Sequence, residues 1–390
     1  MAPIVPARPA IPRLLPAPTR STFLFGPRGT GKSTYALQSL PDAVAIDLRA
    51  GPVARALVAA PERLHDTIDT VAPERWVVID EIQRVPALLD VVHQRLDREP
   101  WRRFLLTGSS ARSLNRAAEN LLGGRAGRRV MPPFLAAELG NAFSLESALR
   151  VGLLPVVCTA DDPVQAIADY ATIAVLDEVR AEAAVRQIAG FARALEQLAL
   201  AHGSVLSPTA IAQQAEVKKS TVVDWIELLE AMFLLTRIEV FTGRPSRRAL
   251  AAQPKLYFAD VGIAMALRPG HVARAMPEAI GAAREGLVYQ HLAAWCGVVR
   301  DAHLWTWRTT SGVEVDFVVE TPDQLIAIEV KSGTTLRPAD RRGLLAFHEE
   351  FPDALLMALT DAPLPARHGP IREESVDGFL RRLVPGQTLE

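Results

Sequence analysis

The chain has 390 residues, enough for two or three domains at roughly 150 residues each. Hydrophobic residues make up 49% and charged residues 22%, the balance of an ordinary globular protein rather than a disordered or fibrous one. Its 43 basic and 44 acidic side chains leave a net charge of −1, which excludes a global positive field, so any contact with nucleic acid needs a local patch.

Cys158 and Cys296 are too few for a disulfide framework or a zinc cluster and read as apolar packing residues. No run approaches the roughly 18 apolar residues of a membrane span, and no membrane partner is expected. Met1–Arg20 lacks a signal peptide's apolar core, so the expected compartment is the cytoplasm. Prolines at positions 3, 6, 9, 12, 16 and 18 make residues 1–20 an extended, weakly ordered arm.

Thr22-Phe23-Leu24-Phe25 then reads as a short buried strand, followed by a glycine-rich turn and a helix opening at Lys32-Ser33. The spacing fits the phosphate-binding pattern G-x-x-x-x-G-K-[ST]. Glycines let the backbone wrap a polyphosphate, and the helix N-terminus adds positive potential. Gly26, Pro27, Arg28, Gly29, Thr30, Gly31, Lys32, Ser33 and Thr34 are therefore expected to bind a nucleoside triphosphate. Lys32 would reach the β- and γ-phosphates and Ser33 would hold Mg²⁺. A second buried strand is expected over Ala43–Leu48.

Trp76-Val77-Val78-Ile79 is a strand buried on both faces, as in a parallel sheet, with Asp80-Glu81 emerging at its carboxyl end. Asp80 suits Mg²⁺ and Glu81 suits polarising the attacking water. An acidic strand end alone is weak; about fifty residues after a phosphate loop it is strong. Trp101–Leu106 gives another strand, ending in Thr107 and Ser109, which would lie beside the γ-phosphate. Helix capping by Ser109 or Ser110 is the alternative. In the arginine-rich turn Gly123–Arg129, Arg125 first and Arg128 second could cross a subunit interface to stabilise transition-state charge. A solvated basic loop is the alternative.

Together these residues resemble the AAA+ superfamily of ATPases, and most closely prokaryotic AAA-family proteins with a C-terminal nuclease-like domain. Val78-Ile79-Asp80-Glu81-Ile82-Gln83, Leu106-Thr107-Gly108-Ser109-Ser110-Ala111, Gly124-Arg125 and Pro133-Phe134 carry the likeness, which covers nearly all the chain after the arm. It implies homo-oligomeric rings or arcs whose active sites are shared between neighbours.

Asn141–Gly203 reads as helical, with Asp162-Pro163 opening one helix and an alanine-rich amphipathic helix over Glu182–His202 stopped by Gly203. Ser207–Leu229 looks like helix-turn-helix. Ile211, Ala212 and Ala215 face inward, Ser220 caps the second helix, and Val222, Val223, Ile226 and Leu229 pack. Phe233–Phe241 and Lys255–Phe258 read as paired strands around a basic wing. In a winged helix, Lys218, Lys219, Arg244, Arg247 and Arg248 would contact DNA phosphates. Acidic Asp224, Glu227 and Glu230 weigh against DNA, and a domain used only for packing is the alternative.

Val313–Val319 and Leu325–Lys331 read as two strands around Thr321-Pro322-Asp323. A symmetric hairpin sets Asp316 opposite Glu329, with Cβ atoms roughly 5 Å apart, where a divalent ion would offset their repulsion. Lys331 could then hold attacking water or developing charge. D-x₁₂-E-x-K resembles the PD-(D/E)XK nuclease fold, which implies catalytic roles for Asp316, Glu329 and Lys331 with a second Mg²⁺ or Mn²⁺. Where relatives place a helical Glu, Gln290 aligns, leaving Glu285 or Glu314 as substitutes. A nuclease-like domain that binds without cutting is the alternative.

The expected fold is α/β, with a P-loop AAA+ core on a parallel sheet, a helical lid, a winged-helix module and a C-terminal α/β nuclease-like domain. The expected boundaries are 1–20 for the arm, 21–140 for the ATPase core, 141–204 for the lid, 205–262 for the winged helix and 263–390 for the nuclease-like domain. The leading function is an ATPase acting on DNA through its C-terminal half. A switch or scaffold that binds a protein partner is the alternative. The Asp80-Glu81 pair and the long C-terminal half argue against a small-molecule kinase.

Overall fold

The computed structural model describes residues 11–112, 124–181, 185, 187–243, 253–270 and 276–389. They fall into two compact units. One runs to Pro132 and includes Ala231–Phe233; the other comprises Pro133–Glu230 and Leu234–Glu390.

The first unit holds strands β1 (Thr22–Phe25), β2 (Val44–Asp47), β3 (Trp76–Asp80), β4 (Arg103–Gly108) and β5 (Gly127–Val130). All pair in parallel, in the order β2-β3-β4-β1-β5. β1 and β3 are buried along their whole length, as their unbroken apolar runs demand inside a parallel sheet. β5, sequence Gly-Arg-Arg-Val, lies at an edge and stays partly exposed. The core gathers Phe23, Phe25, Val77, Ile79, Phe104 and Leu106 with Leu88, Leu89 and Val92 of the helix Leu88–Arg98. That helix buries residues three and four apart, the spacing of one helical face. Because β4 inserts between β1 and β3, the carboxyl ends of these three strands line up. Leu24 pairs with Thr107 and Ile79 with Leu106, which sets Asp80 beside Thr107.

Among the described residues the second unit contains two sheets. β6 (Ser204–Val205), β7 (Leu235–Ile238) and β8 (Lys255–Phe258) form an antiparallel sheet in the order β6-β8-β7. β9 (His303–Arg308), β10 (Glu314–Glu320), β11 (Leu325–Val330), β12 (Leu355–Thr360), β13 (Ala366–His368) and β14 (Ile371–Ser375) form a mixed sheet, ordered β13-β14-β12-β11-β10-β9. Val315, Val318, Ala327, Leu344, Phe347, Leu356 and Ala358 fill its core. The 20-residue helix Pro277–Cys296, about 30 Å long, buries Leu287, Val288, Leu292 and Trp295. The fold is thus α/β, with a parallel P-loop-type sheet in one unit and a separate mixed sheet in the other. Among the described residues no helix is long and apolar enough to cross a membrane.

Several elements differ from expectation. Residues 11–20 are pinned rather than loose: Leu15 is buried, and Tyr35 donates its hydroxyl to the Pro16 carbonyl at 2.7 Å. Fixed proline φ angles make such a segment cheap to hold once a donor reaches it. Of the helix expected over Glu182–His202, the described residues show Ile188–Leu200, with Gly190 and Phe191 buried; 182–184 and 186 lie outside the described residues. The helix expected to be capped by Ser220 begins at Lys219, and Trp225, not marked as inward, is buried in it. The strand expected over Phe233–Phe241 is confined to β7, because Phe233 adopts a left-handed φ of 59°. The helix Ile188–Leu200 has Ala201 as its C-cap, so Gly203, at φ 74°, lies two residues past the cap rather than at it, while Asp162 accepts from the N–H groups of Val164 and Gln165. Burial pushes the thiols of Cys158 and Cys296 up to about 12, which leaves them inert packing groups.

Candidate functional site

The turn after β1 depends on glycine. Gly26 has φ 144°, and a Cβ there would lie 2.6 Å from the Met131 carbonyl oxygen. Gly29 and Gly31 sit at φ 81° and 83°, and Gly31 is the N-cap of the helix Lys32–Ser39. The loop is tied from within. Thr30 donates to the Pro27 carbonyl at 2.8 Å, and the buried Lys32 ammonium donates to the carbonyls of Gly26 and Pro27 at 2.8 and 3.0 Å. Arg13 adds an outer brace that sequence reasoning missed, donating to the carbonyls of Thr30 and Pro132. Arg28 and Thr34 are exposed.

Asp80 is the hub. Ser33 Oγ lies 2.7 and 3.0 Å from its two carboxylate oxygens, and Thr107 donates to its Oδ1 at 2.5 Å. Arg49 Nη2 forms an ion pair with it at 3.0 Å and pairs also with Asp47. Hydrogen bonding from Arg49 holds the Asp47 carboxyl below its usual range. Arg49 was not foreseen; its only signal is a cation two residues past β2, which pairs with β3 at Asp80. Glu81 sits in left-handed backbone at φ 62°, and its N–H donates to Thr107 Oγ1 at 3.0 Å. Its carboxylate accepts from Gln83 Nε2, which also donates to Ser109 Oγ at 3.1 Å. Ser109 thus faces Glu81, whereas Ser110 caps Arg112 through its backbone N–H. ATP with Mg²⁺ fits these donors: Ser33 and Asp80 present facing hard oxygens and would hold the ion.

Arg125 is elsewhere in this unit. It ion-pairs with Asp97 at 2.6 Å and lines a cavity of about 410 Å³ with Arg20, Trp101, Arg102 and Arg103. It precedes β5, whose Gly127 pairs with Thr22 at the start of β1, so it lies at the sheet's amino edge, opposite the loop after Phe25. Arg128 spreads over the rings of Phe25 and Phe233, with centroids 5.5 and 5.8 Å away.

In the second unit, the hairpin register pairs Phe317 with Ile328 and so brings Asp316 beside Glu329. Lys331 Nζ lies 2.5 Å from Glu329 Oε1. Gln290 is not part of this cluster: its amide points to the Phe134 carbonyl. The helical carboxylate present is Glu285, one turn nearer the helix start, which accepts from Tyr257 Oη and Lys255 Nζ. Lys255 is the residue sequence reasoning missed, although a lysine heading the otherwise apolar run Leu256-Tyr257-Phe258 was a visible anomaly. Its ammonium lies 3.0 Å from Glu285 Oε1 and 3.1 Å from Asp316 Oδ1. Burial opposes the charge on Lys255, but Asp316, Glu285 and Glu314 outweigh it and hold its pKa above the usual lysine value. Burial, with Asp316 adding, pushes Glu285 up to about 7 and Glu329 up to about 8.

Lys218 and Lys219 are exposed, as are Asp224 and Glu227, while Glu230 pairs with Arg237 at 2.6 Å. Arg244, Arg247 and Arg248 lie outside the described residues.

Residues 18–140 match a family model described as an AAA domain. Residues 142–273 and 280–370 match two domains of unknown function, DUF8612 and DUF4143. No protein of curated function matches the chain. Among solved structures, the ORC1 protein of Aeropyrum pernix in complex with DNA is 17% identical, over 66% of this chain and 88% of that one, with a TM-score of 0.26. A STAND-type signal transduction ATPase with a tetratricopeptide repeat sensor, from Pyrococcus horikoshii, is 10% identical, over 72% and 47%, with a TM-score of 0.23. Protein VC1899 of Vibrio cholerae is 12% identical, over 93% and 96%, with a TM-score of 0.19. None of the three superposes closely enough to bear on function. The AAA match covers the strands and loops that converge on Asp80.

Proposed function

We propose that the chain binds ATP with Mg²⁺ and hydrolyses it. The reading is carried by the convergence of Ser33, Thr107 and Arg49 on Asp80, beside a glycine loop inside the segment that matches an AAA domain. Lys32 reaches the β- and γ-phosphates, Ser33 and Asp80 hold the magnesium, and Glu81 polarises the attacking water. Thr107 and Ser109 set the Asp80-Glu81 pair. Lys32→Ala should abolish ATP turnover, and Glu81→Gln should bind ATP without turning it over. Wild-type rates in either variant refute the assignment. The cytoplasm, where ATP is abundant, is the compartment this reading fits, and a homo-oligomeric ring or arc would bring Arg125 to a neighbour's nucleotide.

The load we assign to this cycle is a DNA-directed second unit, built as a winged helix and a nuclease-like domain. Exposed Lys218 and Lys219 at the start of the helix Lys219–Ala231, with Arg244, Arg247 and Arg248, supply the phosphate contacts. DNA-stimulated ATP hydrolysis supports this load; a rate indifferent to single-stranded, duplex and branched DNA favours a switch acting on a protein partner. One observation favours recognition over cutting in the nuclease-like part, namely the Lys255 ammonium between Glu285 and Asp316.

A further inference from the structure

We propose that Lys255 supplies, from the chain itself, the positive charge that a divalent metal would bring to Asp316 and Glu285, so that this cluster recognises without cutting. The inference rests on the recognition reading above and replaces the second Mg²⁺ or Mn²⁺ expected between Asp316 and Glu329.

The donor set argues against a metal. Asp316 Oδ1 faces the Lys255 ammonium, and its Oδ2 accepts the Val330 N–H at 2.9 Å. Glu329 Oε1 is paired to Lys331 at 2.5 Å, and its Oε2 accepts the Asp316 N–H at 3.4 Å. Each oxygen of the two expected ligands is thus met by a donor of the chain. The 3.0 and 3.1 Å separations around Lys255 Nζ are those of ammonium hydrogen bonds, whereas Mg²⁺ demands six oxygens near 2.1 Å. Among the described residues no three His, Cys, Asp or Glu side chains converge closely enough to hold a metal ion.

The local fold gives the reason. Lys255 and Tyr257 are two apart on β8, so both side chains point from one face, and both meet Glu285. The carboxyls of Asp316, Glu285 and Glu329 are opposed by the ammoniums of Lys255 and Lys331, and a buried acid is tolerated only with such pairing. Lys255 is 7% exposed, so it is a fixed part of the site rather than a surface lysine that folds in by chance. Lys331, 34% exposed, is the cluster's open member and the group left to meet a bound partner.

The test is Mn²⁺ titration of the nucleotide-free full chain by calorimetry, with melting temperature as a second readout. Wild type and Asp316→Asn should bind Mn²⁺ alike. Lys255→Ala should gain a site at least tenfold tighter than any in the wild type, raise its Tm on adding Mn²⁺, and lose both in Lys255→Ala/Asp316→Asn. A wild-type Mn²⁺ site that Asp316→Asn removes overturns the proposal, as does Mn²⁺-dependent DNA cutting lost in Asp316→Asn. A folded Lys255→Ala without a new site also overturns it. If Lys255→Ala fails to fold even with Mn²⁺, the wild type and Asp316→Asn comparison decides alone. Every readout here is taken without ATP, so failure of the hydrolysis assignment at Lys32 or Glu81 leaves this test untouched.

Discussion

Ser33 Oγ lies 2.7 Å from Asp80 Oδ2, although 47 positions separate the two residues. The sheet order creates this approach, because β4 between β1 and β3 brings Thr107 alongside Asp80. Thr107 bonds both the Asp80 carboxylate and the Glu81 N–H, fixing the pair's orientation. Thr107→Val keeps the side chain's shape but removes both bonds. A hydrogen bond to a charged group contributes about 1.5–3 kcal/mol, so kcat for ATP should fall about 10–100-fold. Steady-state ATPase rates check this; an unchanged kcat would show that Asp80 holds its place without Thr107.

Gln83 holds Glu81 through its amide and touches Ser109 with the same nitrogen. Glu81 sits at φ 62°, so the carboxylate's direction depends on such side-chain contacts. Gln83→Ala should lower kcat by about tenfold while ATP affinity stays at the wild-type value, the pattern of a positioning residue. Parallel loss of ATP binding would instead mean that the loop itself had shifted.

The glycine loop and the Asp80-Glu81 strand were legible because glycine spacing and unbroken apolar runs encode local conformation directly. Arg49 and Lys255 were not, since each matters through a partner on another strand or helix that only the sheet order brings near, and Gln83 was not, since its hold on Glu81 depends on the left-handed backbone at that residue. Lys255 meets Glu285 and Asp316, 30 and 61 positions away. Of the two substitutes offered for the helical carboxylate that Gln290 lacks, Glu285 is the one that meets the cluster, five residues before Gln290 on the same helix. Within 141–203 the start at Asp162-Pro163 was legible because a side-chain cap and a first-turn proline mark it locally.

Arg125 and Gly26 lie toward opposite edges of the sheet, since Gly127 pairs with Thr22 and Gly26 follows Phe25. Four strand residues span roughly 13 Å, which keeps Arg125 away from phosphates bound at its own loop. Any catalytic role must therefore be exerted on a neighbouring subunit. Arg125→Ala should bind ATP normally yet turn it over at least tenfold more slowly, and mixing it with Glu81→Gln should restore part of the activity. Full activity in Arg125→Ala alone, or no recovery when assembled variants are mixed, rejects the role.

His291 makes the second unit sensitive to acid. Its Nδ1–H donates to the Leu287 carbonyl at 2.8 Å while Nε2 accepts the Ala136 N–H at 2.9 Å, an arrangement only the neutral ring satisfies. Burial pushes its pKa down to about 4, against about 6.5 in the unfolded chain. A depressed folded value means the unfolded state binds the extra proton, so this contribution is complete above pH 6.5 and is lost as pH falls toward 4. His291→Gln removes that proton. Over pH 6.5 to 4, unfolding free energy from urea titration should drop more steeply in the wild type than in His291→Gln, by up to about 1.4 kcal/mol per pH unit. His202, which burial pushes down to about 3, acts in the same direction in both proteins, and the raised Glu285 and Glu329 act oppositely in both. The difference between the two slopes therefore isolates His291, and equal slopes would mean that its ring takes up a proton inside the folded unit.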